Sequence, residues 1–124
     1  MECNKNCNSL CPNIVISDSV TFTDGTLLID IPANSFRDGD RICLVVAQAI
    51  PAETTITAPV AITIGGVTTT TYPVVGCDCA AVTACAIRTR TRYPMRVNTT
   101  STSAVFKVLR GLSCAPGYAL ANIP

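Results

Sequence analysis

The sequence predicts an all-β domain, a seven- or eight-stranded antiparallel β-sandwich or jelly roll with extended amino- and carboxy-terminal arms. β-Branched residues dominate the chain, the hydrophobic period is two rather than 3.6, and Gly, Pro, Asn and Asp mark turns at short intervals. No amphipathic stretch of helical length interrupts that pattern. A closed barrel is the rival arrangement, because short strands at such spacing serve both architectures.

The elements follow in order. A first strand is expected from Ile14 to Thr23, ended by Asp24-Gly25, a pair suited to a tight hairpin turn, before a second strand from Leu27 to Ile31 that Pro32 stops. Ala33 to Asp40, with Asn34, Asp38-Gly39 and Asp40, reads as a connection. Arg41 to Gln48 returns as a buried strand around Ile42, Leu44 and Val45, and Cys43 in that apolar run reads as an inert core residue. Thr55 to Ile64 and Val67 to Val74 flank Gly65-Gly66, the clearest turn in the chain, and the tract Thr68 to Thr71 should alternate in and out of its strand. Cys77 to Thr83 is expected to be a loop, Ala84 to Tyr93 a long strand broken by Pro94, and Val105 to Leu109 a last strand after a polar turn from Asn98 to Ser103. Residues 14–110 thus form the domain, residues 1–13 a cysteine-bearing amino-terminal arm and residues 111–124 a carboxy-terminal tail.

Composition narrows the function classes. At 124 residues one core is expected; with 48% hydrophobic and only 14% charged residues, the surface is short of the charge that keeps domains apart in solution. A homo-oligomer, or a subunit of a larger assembly, fits that surface. The net charge of +1 supplies no field for nucleic acid or an anionic membrane. No run approaches the roughly 20 apolar residues of a spanning helix. The start, Met1 to Cys7, lacks the basic and apolar regions of a signal peptide, so synthesis in the cytoplasm is expected. Eight cysteines point instead to an oxidising place. A chain made in the cytoplasm and later exposed on a virion or on a spore or cell surface satisfies both clues.

The cysteines are the most chemical feature. Besides Cys43 they are Cys3, Cys7, Cys11, Cys77, Cys79, Cys85 and Cys114, each a candidate cross-link or thiolate. Disulfides, a metal site and free thiols stay open, but no Cys-x-x-Cys knuckle is present, Cys77-Asp78-Cys79 is too tight for the usual zinc pair, and no metal is assigned. Arm cysteines are well placed to link subunits. A second constellation is Arg88, Arg90 and Arg92, which alternate with threonines at the strand period and so should share one face, with Arg96 beyond them. They form a candidate interaction strip for carboxylates or phosphates, since the planar guanidinium suits both; the plainer reading is a solvent-facing strand.

Catalysis finds no support. The chain has no histidine, the commonest general base, and its eight acidic residues fall mainly in turns. Asp38-Gly39-Asp40 with Asn34 lacks the spacing of a calcium loop, and Gly65-Gly66 is a hairpin rather than a phosphate cradle, so no catalytic residue, cofactor or small-molecule substrate is assigned.

The runs Cys11-Pro12-Asn13-Ile14-Val15-Ile16, Cys43 to Pro51 and Thr83 to Tyr93 resemble a group of small cysteine-rich proteins of clostridial bacteria and their prophages. The resemblance spans nearly the whole chain and implies a virion component, such as a capsid decoration protein; the group carries no established activity. A cysteine-bearing arm ahead of a jelly roll also resembles, in architecture, the subunits of bacillus spore appendages, in which arm cysteines bond neighbouring subunits. No residue role is carried over from either.

Overall fold

The structure, a computed structural model, describes residues 13–77, 80–99 and 103–109. These residues form eight strands: β1 (Ile14–Ile16), β2 (Ser19–Thr23), β3 (Thr26–Ile31), β4 (Arg41–Val46), β5 (Val60–Ile64), β6 (Val67–Val75), β7 (Thr91–Thr99) and β8 (Ala104–Val108), with one 3-10 turn at Ala84–Ala86. The strands join in a single curled sheet of order β1-β4-β7-β8-β6-β5-β3-β2. The all-β expectation holds, but the sheet is mixed rather than antiparallel. The pairs β1–β4, β3–β5 and β6–β8 are parallel. Each of those pairs joins strands with one or two others between them in sequence, and the period-two pattern is the same for either direction, so sequence periodicity does not carry the distinction.

Alternation builds the core. Leu27, Ile29 and Ile31 of β3, Ile42, Leu44 and Val46 of β4, Tyr93, Met95 and Val97 of β7, and Phe106 and Val108 of β8 point into the curl and are buried together. Phe36, from the connection after β3, packs edge-on against Phe106 with ring centroids 5.2 Å apart. Both expected hairpins form. Asp24 and Gly25 have φ of 51° and 76°, and Gly65 and Gly66 have φ of 62° and 80°, the pair of positive angles that a type I′ turn requires. Asp30, 7% exposed, anchors the second hairpin. Its Oδ1 accepts hydrogen bonds from the Thr63 hydroxyl at 2.8 Å and from the Gly66 N–H at 2.9 Å.

The expected strand from Ile14 to Thr23 divides at Ser17 and Asp18. The Ser17 N–H donates to the Val45 carbonyl of β4 at 2.9 Å, and the next amide, Asp18, donates to the Asp30 carbonyl of β3 at 2.8 Å. Successive amides of an extended chain point to opposite sides, so one run serves both flanks of the sheet in turn. β1 and β2 are therefore the two edges of the sheet, and the covalent chain between them closes the curl.

Other boundaries shift. Thr54 and Ala58 lie in turns, their N–H groups bonded to Pro51 and Thr55, so β5 starts only at Val60. Val67 to Thr71 are all exposed, because the β5–β6 register slips between Ile62 and Ile64 and pushes the threonine tract out of the ladder instead of letting it alternate. Ala84 to Tyr93 is not one strand: a 3-10 turn and a bend occupy its first half, and β7 runs through Pro94. The Cys43–Pro94 rung tolerates proline because the Cys43 N–H points the other way, donating to the Asn13 carbonyl at 2.7 Å. On its other side Pro94 needs only to accept, from the Leu109 N–H at 2.8 Å. Asn98 and Thr99 belong to β7 rather than to a turn. The expected arms, residues 1–13 and 111–124, lie outside the described residues apart from Asn13.

Candidate functional site

The β1 edge is built by its neighbours. In a parallel ladder alternate residues bond one partner. Asn13 and Ser17 bond β4, so the N–H and C=O groups of Ile14 and Ile16 face the open side. Val15 points into the core while the side chains of Ile14 and Ile16 are each 55% exposed. Across from this edge β3 has stopped at Pro32, which has no N–H to extend the ladder. Asn34, with φ of 63°, turns the chain away. What remains is a groove of about 540 Å³ lined by Ile14, Val15, Ile16, Asp18, Pro32 and Ser35, continued by a second of about 350 Å³ beside Phe36 and Arg37.

Ser17, between two residues that line the groove, is held by several hydrogen bonds. The buried Ser17 hydroxyl donates to Gln48 Oε1 and accepts from the Ala47 N–H at 3.0 Å, while Gln48 Nε2 donates to the Ser17 carbonyl at 2.8 Å. The Thr89 hydroxyl donates to the Gln48 carbonyl at 2.7 Å and ties the bend before β7 to the same knot.

The four arginines do not lie on one strand face. Arg88 lies before β7, where its N–H donates to the Tyr93 hydroxyl at 2.8 Å. Arg90 sits at φ of 57°, a left-handed position that breaks strand alternation. Only Arg92 and Arg96 share a strand face. The Tyr93 hydroxyl also donates to the Ala86 carbonyl at 3.2 Å, and burial raises its pKa above the usual phenol value, against the lowering effect of the Arg88 N–H. Tyr93 is thus the post that holds the bend.

Cross-strand register assembles a different cation set. Arg41 of β4 stands directly opposite Arg96 of β7, and Arg96 opposite Lys107 of β8. All three alternate with core residues and share the outer face. Sequence reasoning missed Arg41 and Lys107, since they lie in separate segments and only the register joins them. Next to the row, Asp38 accepts the Thr99 N–H at 2.7 Å, which with the Thr99 hydroxyl and the nearby Arg96 holds its carboxyl below the usual range.

Cys43, Cys77 and Cys85 are disulfide-bonded. For Cys43 this corrects the core-thiol reading: it is fully buried, but its neighbours Ile42 and Leu44 point into the core and Cys43 points away from it, so the apolar run hid an outward-facing residue. Cys3, Cys7, Cys11, Cys79 and Cys114 lie outside the described residues. Among the described residues no group of three or more Cys, Asp or Glu side chains comes together that would hold a metal ion, and no helix is long and apolar enough to cross a membrane. No protein-family model matches the chain, and no curated protein or solved structure is significantly similar to it.

Proposed function

We propose that this protein is a non-enzymatic structural subunit that self-assembles, each copy accepting an extended segment of a neighbouring copy along its β1 edge. The observation that carries this reading is the edge itself, where, among the described residues, open backbone groups at Ile14 and Ile16, two exposed isoleucine side chains and a flanking groove coincide. An added strand gains its affinity from main-chain hydrogen bonds and its specificity from alternate side chains. An apolar edge left unguarded is otherwise a site of uncontrolled pairing. The low charge of the chain supports the same conclusion.

The setting we propose is a phage virion, with the protein decorating a capsid as a jelly-roll-like subunit; a disulfide-linked filament on a spore surface is the alternative. Both rest on the sequence resemblances, and in both the chain is made in the cytoplasm and exposed later. A binding module for an acidic ligand, glycan or protein is a further alternative, although Arg88 and Arg90 lie outside β7 and so do not share a strand face with Arg92 and Arg96.

Light scattering on concentrated protein tests the reading. Wild type should associate, while Ile14→Lys with Ile16→Lys, both outward on the edge, should give a folded monomer. Association that persists unchanged in the double variant sinks the proposal, as does a wild type that stays monomeric.

A further inference from the structure

We propose that the row Arg41, Arg96 and Lys107 is a binding site for a compact tetrahedral dianion of the phosphate or sulfate class. The three cations sit on adjacent strands, in register and on one face, so that the row spans only about 10 Å, twice the usual spacing between strands. Like charges directly opposite one another repel, and a row of three is not a neutral choice for a sheet. The cost is sharpened by burial. Lys107 is 6% exposed. Arg96 Nε is buried without a hydrogen-bond partner.

A buried cation is stable when an anion or a set of acceptors faces it. Among the described residues, Asp38 is the carboxylate found to interact with the row, beside Arg96 and already engaged by Thr99. Three cations against one carboxylate leave an excess of two positive charges, which one dianion neutralises. The short span of the row favours a small ion over an extended polyanion. Guanidinium groups on two strands offer their N–H forks to oxygens of a tetrahedral ion, and the Lys107 ammonium supplies a point charge from the third. This site lies on the sheet face, apart from the groove, and does not depend on how the subunit assembles.

Titration of the full-length protein with inorganic phosphate, with sodium chloride at matched ionic strength as reference, tests the site by NMR. Phosphate should move the Arg96 Nε–H signal and the backbone signals of Arg41 and Lys107 in a saturable way, and sulfate should do the same. Replacing Arg96→Gln or Lys107→Gln should weaken phosphate binding at least about tenfold, the loss expected for one charge-assisted hydrogen bond, while Arg92→Gln should not. If chloride produces the same shifts, or if the Arg96 Nε–H signal of wild type does not respond to phosphate, the proposal is overturned, whether or not the variants fold.

Discussion

The two edges of the curled sheet are separated in the chain only by Ser17 and Asp18, yet they are finished in opposite ways. β2 turns Ser19, Thr21 and Thr23 to solvent and is locked to β3 along five rungs of a tight hairpin. β1 turns Ile14 and Ile16 to solvent and is held by three rungs of a parallel ladder to β4. Hydroxyl-bearing residues keep an edge wet and discourage pairing, whereas an aliphatic edge gains by being covered. The contrast teaches that having an edge is not enough to make an interface; its side chains decide.

The largest expected effect lies on the β2 flank. Asp30→Ala leaves the Thr63 hydroxyl and the Gly66 N–H without their acceptor, and should cost about 2–4 kcal/mol in chemical denaturation. A loss no greater than that of a surface substitution would show that this flank does not depend on its buried carboxylate. On the β1 flank, Ser17→Ala leaves the Ala47 N–H without its acceptor and Gln48 Oε1 without its donor, and should cost about 1–3 kcal/mol. The same variant should speed amide exchange at Ser17 and Cys43 while leaving the β2–β3 amides protected; uniform acceleration would mean that the two flanks open together.

The smallest effect concerns Asp38. Its pKa is lower folded than unfolded, so it contributes stability above the ordinary aspartate range that fades as the pH falls through that range and below. Asp38→Asn should therefore flatten the acid limb of a stability profile slightly and leave neutral pH almost untouched. A change confined to neutral pH contradicts the assigned Thr99 contact.

Several parts of the fold are legible in the residues. The Asp24-Gly25 and Gly65-Gly66 hairpins follow from the need for positive φ, and β3, β4 and β8 from apolar alternation. The misread stretch, Ala84 to Tyr93, also alternates, but Tyr93 claims the Ala86 and Arg88 backbone groups that a strand would use for pairing. Tertiary hydrogen bonding overrode local pattern there, and the arginine strip went with it. The open edge was half visible: Ile14 and Ile16 flank Val15 at the strand period, but nothing in that run tells which side is inside.

By itself the sequence determined the class of fold, the two tight turns and the residues able to fill a core, because these depend on local sterics and on a period of two. Only the tertiary structure decided which strands are neighbours and which edge stays open. The same holds for the outward disulfide at Cys43 and the alignment of Arg41, Arg96 and Lys107. Those depend on register between segments far apart in the chain. A shift of one residue would turn each of these side chains to the other face.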